Sequence, residues 1–512
     1  MQMERWLGLL LEEQIQGSPV LLVARAWIVQ VHGQLTDFPR LLTAAEQLLE
    51  SNNSGAGEAG EAGNSQTRIL RATIAMYWSQ FQYVTGQVQA SLQSAHSALE
   101  WIAPGEAYVA SLALLFMSLS RQTTGQEEIA LAQLQQALRD QSTRRNDTAR
   151  LLFAQVLVYL VAGKLHQAEH TARHQLRLAQ GTDLILSQHF AHWLLGVVHY
   201  ERDKLDAAVY HFSAVLANQH LANLWAVRDA MCGLALAYQA KGLGKEAQET
   251  ARALLELVQE QHNMGELMAA YAFRGQLSLL QDEVEEASRW LELTGEQEAL
   301  SPMPFLEDPL ITKARLLLAT GDTASVAGGQ ALLMHLLQQV EAMHSTRKTI
   351  KVLALQAWAY DLQGLETEAL DVLEQALALG CPGGFVRTFA DLPPLLKVLA
   401  ELRRRRKAQQ AVDGKLDAYL QDILVAMSPA PAQVVSTKEL MRQEGLEPLT
   451  KRELQILRLL ERDLTNKEIA RELVVTPGTV KVHTTNVYRK LSVNNRQTAV
   501  ILVRALGLLA AT

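Results

Sequence analysis

Apolar residues recur at helical spacing along almost the whole chain, and the pattern is broken at regular intervals by turn residues. From residue 1 to about 400, a turn residue is followed five positions later by a small residue in the next helical stretch. Gly125 pairs in this way with Ala130, Gly163 with Ala168, Asp203 with Ala208, Gly242 with Ala247, Asp282 with Ala287 and Gly364 with Ala369. The small-residue column advances by 38, 40, 39 and 40 residues and then by 82, which is two periods. Gly86 with Ser91 fits an earlier unit, Gly321-Asp322 marks a degraded one inside the double gap, and Gly33 would turn a first unit within 1–50. Helix pairs of about forty residues, with a small side chain where two helices approach, predict an all-α, tetratricopeptide-like α-solenoid.

The interruptions of this pattern set the domain organisation. SNNSGAGEAGEAGNSQ, residues 51–66, has too little apolar surface to build a core and is expected as a flexible loop. Gly380, Pro382, Gly383 and Gly384 end the last unit, and Arg403 to Lys407 follow as a basic run expected on a solvated helix face. Ser428 to Pro448, with Pro429 and Pro431, reads as a linker. The chain thus divides into a helical-repeat domain over 1–400, a basic helix and Pro-containing linker over 401–448, and a small module over 449–512.

That module carries the clearest punctuation in the sequence. Thr450 with Glu453, and Thr465 with Glu468, have the T-x-x-E form of a capping box. Thr476 caps a third helix with Pro477 at its first position, where a missing N–H costs nothing. Leu454, Ile456, Leu457 and Leu460 give the first helix an inward face, and Ile469, Ala470 and Leu473 do so for the second. The short link Leu473–Thr476 fits a helix-turn-helix, whose second helix enters the DNA major groove. With Val480, Val487 and Leu491 facing inward, Thr479, Lys481, Val482, Thr485, Asn486 and Arg489 remain for the outer surface. Lys donates to guanine, Asn pairs with adenine, and Val or Thr methyls meet thymine methyls. Charge sharpens the picture. The chain carries −7 overall, yet residues 449–512 hold eleven Lys and Arg against five Asp and Glu, leaving 36 basic and 49 acidic residues for the rest. A basic module on an acidic body suits a DNA reader attached to a sensor.

LTKRELQIL, NKEIARELVVTPGTVKVHTTNVYRKL and NNRQTAV resemble the four-helix helix-turn-helix domain of LuxR-type transcriptional regulators. The resemblance implies a recognition helix over 479–490, with Lys481, Val482 and Thr485 at base-contacting positions. Thr479, Asn486, Arg489 and Lys490 would help or hold phosphates, and Val500, Val503 and Leu506 on the last helix would form a dimer contact. Asp463 stands where the family usually has Gly, and Thr485 where some members are basic. RTFADLPPLL and WLGLLLEEQIQGSPVLLVARAW extend the likeness to the repeat portion of the large ATP-dependent LuxR-type regulators. The resemblance does not extend to their N-terminal nucleotide-binding domain: G-x-x-x-x-G-K-[ST] does not occur in this sequence, which is then either a fragment of a longer regulator or a protein that works without that motor, and no ATP or other cofactor is expected on it. The partners implied are double-stranded DNA, a small-molecule inducer or regulatory protein on the repeats, RNA polymerase, and further copies of the chain in a dimer or higher oligomer on DNA.

The remaining features change this little. Cys232 and Cys381, without metal-ligand spacing, are expected as reduced, buried thiols of a cytoplasmic protein, and no apolar run is long enough to span a membrane. His166-Gln167-Ala168-Glu169-His170 spells H-x-x-E-H, a zinc-hydrolase pattern with His174 one turn on, but Ala168 already belongs to the small-residue column. Eight of the fourteen histidines fall between His166 and His220 and are expected as solvated or hydrogen-bonded side chains. Trp193, Tyr200, Tyr210, Phe212 and Trp225 are expected mainly in the core, with a groove on the concave side as the alternative. Catalytic and metal-binding residues are therefore assigned to none. A repeat-based scaffold is the alternative to a DNA-binding regulator, with the zinc hydrolase ranking behind it.

Overall fold

The computed structural model describes residues 2–31, 37–55, 61–102, 106–140, 144–217, 219, 223–261, 263–294, 299–409, 414–428, 447, 449–462, 464–491, 493 and 496–505. Among these residues every regular element is a helix. The repeats appear as successive antiparallel pairs, among them Ala107–Thr123 with Glu127–Arg139, Arg145–Val161 with Leu165–Ala179, Ile185–Glu201 with Leu205–Leu216, and Leu224–Ala240 with Gly244–Glu260.

The two columns found in the sequence have distinct physical jobs. Gly86, Gly125, Gly163, Gly242 and Gly364 all have φ between +73° and +81°, and Asp203 and Asp282 take the same left-handed conformation at +58° and +63°. Each ends a helix in a Schellman turn. Lys164 N–H, for instance, reaches back to Tyr159 O at 2.8 Å and Gly163 N–H to Leu160 O at 3.2 Å. The next helix starts at once, so two helices reverse within a few residues. Five positions on, Ser91, Ala130, Ala168, Ala208, Ala247 and Ala287 are completely buried where the pair closes. The degraded unit is present as Pro309–Thr320 and Thr323–Ala342, with Gly321 at φ +75° between them.

The coil closes on itself. Gln122 donates to His344 O at 3.2 Å, and Val386 N–H to Glu201 O at 2.7 Å, bonds that cross roughly half the repeat array. Arg347 and Glu201, both about 1% exposed, meet at 3.0 Å. Burial alone would raise the Glu201 carboxyl, but Lys351, Arg347 and Thr388 hold it below the usual carboxylate range.

Three expectations need correction. Helix Phe38–Gly55 and helix Glu61–Val84 claim most of the tract expected to be a loop, as end turns of long helices whose cores lie outside it, which absorb the cost of Gly55 and Gly63; residues 56–60 lie outside the described set. Helix Leu395–Ala408 runs across residue 400, and with Gly414–Met427 it joins the repeat core through Leu399, Leu402, Tyr419 and Ile423. The basic run is partly built into the body: Arg406 is 7% exposed, with Glu374 and Asp417 as partners, and Arg405 pairs with Asp371 at 2.7 Å. Cys232 is buried as expected, whereas Cys381 is only half-buried. Gly33 and most of the 428–448 linker lie outside the described residues. No helix among those described is long and apolar enough to cross a membrane.

Candidate nucleic-acid interface

Four helices form the C-terminal module: Lys451–Glu461, Asn466–Glu472, Pro477–Lys490 and Arg496–Ala505. The first two begin in complete capping boxes. Thr450 N–H donates to Glu453 Oε2 at 2.7 Å while Glu453 N–H donates to Thr450 Oγ1 at 3.3 Å, and Thr465 with Glu468 repeats the exchange at 2.7 and 3.4 Å. Thr476 Oγ1 caps the third helix by accepting from Thr479 N–H at 3.1 Å, with Pro477 at its first position. Arg496 closes the far end of the first helix by donating to Leu460 O at 2.6 Å and Leu464 O at 2.9 Å. The core inside these caps is Ile456, Leu457, Leu460, Ile469, Ala470, Val480, Val487 and Leu491, all buried; Leu454 and Leu473 are half-buried.

The turn between the second and third helices rests on Val474, which has φ +53° and is 89% exposed. A β-branched residue in that conformation is strained, and the helix ends there only because Val475 N–H reaches Ala470 O at 2.9 Å. Past this turn the third helix presents its outer face. Thr479, Lys481 and Thr485 are exposed, Val482 is 61% exposed and Asn486 is half-buried beside them. Thr485 Oγ1 donates to Lys481 O at 2.9 Å, which turns its methyl group outward. Arg489 and Lys490 stand differently. Arg489 makes a two-pronged exposed pair with Glu447 at 2.6 and 2.8 Å. Lys490 holds Glu453 at 2.8 Å in a pair that is almost buried, tying the end of the third helix to the start of the first. Burial would raise the Glu453 carboxyl, but Lys490 and the Thr450 N–H together keep it below its ordinary range. The sequence places Lys490 on the right helix; its carboxylate partner, 37 residues away, carries no local signal.

The fourth helix packs on the repeat body. Ala207 and Tyr210, from Leu205–Leu216, belong to the same buried apolar cluster as Ile456, Leu460, Leu502 and Val503. The opposite side of Leu205–Leu216 is anchored by Phe212, whose ring lies where Gly196 and Gly233 leave room; a Cβ on Gly233 would sit 2.2 Å from it. Val503 is buried and Val500 half-buried in this arrangement, while Leu506 and Asp463 lie outside the described residues. Beneath the contact, His192 and His211 share an Nδ1–Nδ1 hydrogen bond at 2.8 Å, and His199 stacks on His211 at 5.3 Å. These imidazoles are buried and hydrogen-bonded, the second of the two states expected for them.

In the H-x-x-E-H stretch, His166, His170 and His174 line an exposed face of Leu165–Ala179, but Glu169 is taken up by Arg173, Arg202 and Lys204. A carboxylate shared among three cations is a structural anchor of the repeat. Of the five aromatics singled out, Trp193, Tyr200, Tyr210 and Phe212 are buried, and Trp225 is half-buried on the wall of a cavity.

Residues 66–405 match the MalT-like TPR region, and residues 447–503 match bacterial regulatory proteins of the luxR family. Relatives include the HTH-type transcriptional regulator MalT of Serratia proteamaculans, 24% identical over 526 residues that cover 97% of this chain and 55% of that protein. MalT of Yersinia pestis is 25% identical over 513 residues, covering 94% and 54%. The transcriptional regulatory protein LiaR of Bacillus subtilis is 53% identical over 55 residues, 11% of this chain and 26% of LiaR. The chain thus spans about half the length of these MalT proteins and a quarter of LiaR.

Proposed function

The chain belongs to the MalT-like TPR family and ends in a luxR-family module, and from that premise we propose that it is a DNA-binding transcriptional regulator. The observation that carries this is the open face of Pro477–Lys490: Lys481, Val482 and Thr485 project from a helix fixed at both ends by caps and by the Lys490–Glu453 pair. These three residues read base edges in the major groove. Thr479 and Asn486 flank them, and Arg489 exchanges Glu447 for a backbone phosphate. Lys490 keeps its structural partner and adds field rather than a contact. No catalytic step is part of this function.

The repeat body, over 1–400 and the helices that follow it, takes an effector or regulatory protein and controls the module over 449–512. What supports this is the docking of Arg496–Ala505 on Leu205–Leu216. If Val500 and Val503 pair two modules on DNA, with Leu506 beyond the described residues, the helix that carries Val500 and Val503 is engaged with the body in this state. RNA polymerase would meet the regulator only once it is assembled on DNA.

Fluorescence anisotropy with pooled genomic fragments tests both parts. Binding should weaken steeply with salt and be lost in Lys481→Glu. Ala207→Glu, which puts a charge into the docking surface without entering the body's core, should raise DNA affinity about tenfold, which is the scale of a typical coupling between two sites. Salt-independent binding, or Lys481→Glu binding like the parent, would favour a protein-binding scaffold instead.

A further inference from the structure

Six successive repeat units each send an aromatic side chain into one cavity of about 550 Å³. That volume lies within the range of small-molecule sites. Its spine is a ring ladder: Phe153 stacks on Phe190 at 4.5 Å with 21° between planes, and Phe190 on Trp225 at 5.5 Å with 14°. The three residues lie on the successive inner helices Arg145–Val161, Ile185–Glu201 and Leu224–Ala240, at 10, 13 and 17 residues before the turns at Gly163, Asp203 and Gly242, so each ring sits about one helical turn further back than the last. Phe190 and Trp225 are only half-buried, and Tyr108 at the rim is 45% exposed. The faces of Phe190 are taken up within the ladder, and the apolar ring surface that still borders the cavity costs free energy that an occupant recovers.

The polar groups around the ladder narrow the occupant. Gln80, Asn146 and Asn223 offer amides that both donate and accept. Among the described residues the guanidinium on the wall is that of Arg150, already committed to Asp147 at 2.9 Å, to Ser111 Oγ at 2.5 Å and to the face of Tyr108 at 4.7 Å. The carboxylate on the wall among them, Asp183, is exposed to solvent. An anion entering would lose hydration without gaining a cation, and a cation would gain only a solvated carboxylate.

We propose that this cavity binds an uncharged molecule whose apolar body packs against the ring surface that Phe190 and Trp225 turn to the cavity and whose polar edges hydrogen-bond to the surrounding amides. This rests on the reading of the repeats as an effector-binding body and supplies the chemical class of the effector. Helix Ile185–Glu201 carries Phe190 and packs on Leu205–Leu216, the helix that holds the module, so the cavity wall and the docking surface are neighbours.

Calorimetry on the full chain tests the site with 2,6-dihydroxynaphthalene, a planar body with edge hydroxyls, against naphthalene-2,6-disulfonate, the same body with two charges. The diol should bind at one saturable site, at least tenfold tighter than the disulfonate. Phe190→Leu, which keeps apolar packing but removes the ring surface, should weaken the diol at least tenfold. Ser187→Phe, which fills the cavity from a half-exposed wall position, should abolish its binding in a chain that still folds. No saturable diol binding, equal affinity for the disulfonate, or parental affinity in both variants overturns the proposal. DNA binding measured on the same samples keeps the two readings apart: a missing diol site with intact DNA binding removes the ligand class alone.

Discussion

The repeat body and the C-terminal module are both helical, yet most of their helices begin by different means. In the module, Thr450, Thr465 and Thr476 each cap a helix with a side-chain oxygen. In the body, the helices after the turns start mainly at residues that make no side-chain cap, namely Gln87, Gln126, Lys164, Lys204, Leu243, Glu283 and Leu365, whereas Asp322 after Gly321 caps with its carboxylate. Their boundaries are set by left-handed turn residues and by packing of the buried small column. The module is specified locally, residue by residue; the body is specified by repetition, each unit supplying the surface the next one needs. Charge divides less cleanly. The module exposes its Arg489–Glu447 and Glu468–Thr465 interactions but nearly buries Lys490–Glu453, whereas the body buries the larger group of Glu201, Arg347, Asp229 and Glu307.

The largest effect that would sharpen this contrast is pH dependence confined to the body. Burial pushes the Glu307 carboxyl up to about 7, with Thr312 donating its only close hydrogen bond. A carboxyl raised in the folded state holds its proton where the unfolded chain has lost it, so stability falls as pH rises from the unfolded value through about 7. The loss from this group is about 3 kcal/mol. Urea unfolding at pH 5 and pH 8 should show it, and Glu307→Gln should remove most of the slope; an unchanged slope would mean that other groups carry it.

A smaller effect separates the two ways of starting a helix. Thr465→Ala should cost the module about 1 kcal/mol, read as faster amide exchange over 466–472. Gln126→Ala, at the corresponding place in the body, should change stability by less than about 0.5 kcal/mol. Equal costs would break the comparison. Smallest of all, Val474→Gly should slow exchange in the module by relieving the left-handed valine, a gain of about 0.5 kcal/mol after the entropy cost of glycine. A loss instead would show that the exposed isopropyl group makes a contact worth more than the strain.

Much of the architecture was legible because its causes are local or periodic. Gly163 and Ala168 announce a turn and a close approach by their identity, and the same pair recurs often enough to fix a period. The degraded unit at Gly321 was legible only because neighbours on both sides kept register. Thr450, Thr465, Thr476 and Pro477 announced the module in the same direct way. What stayed hidden joins residues far apart in sequence. Lys490 gives no sign that Glu453 will claim it, and Ala207 and Tyr210 look like ordinary repeat positions until the fourth helix of the module lies on them. The ladder of Phe153, Phe190 and Trp225 drifts by about one helical turn per unit against the repeat, so the period that reveals the turns does not reveal the rings. The loop expected at 51–66 failed for another reason: glycines weaken a helix, and long flanking helices with good formers can absorb that cost.

The docking of the fourth helix on Leu205–Leu216 also sets how the protein responds to its own abundance. Both surfaces lie on one chain, joined through the eighteen residues between Ser428 and Glu447. A partner held on so short a tether is present at an effective concentration on the order of millimolar, however few copies of the chain exist. Two modules on separate molecules meet only at their actual concentration. If the module works as a dimer, as proposed, docking on the body therefore outcompetes pairing of equal intrinsic affinity until the protein's own concentration approaches that value, and a rise in expression short of it leaves the docked form dominant.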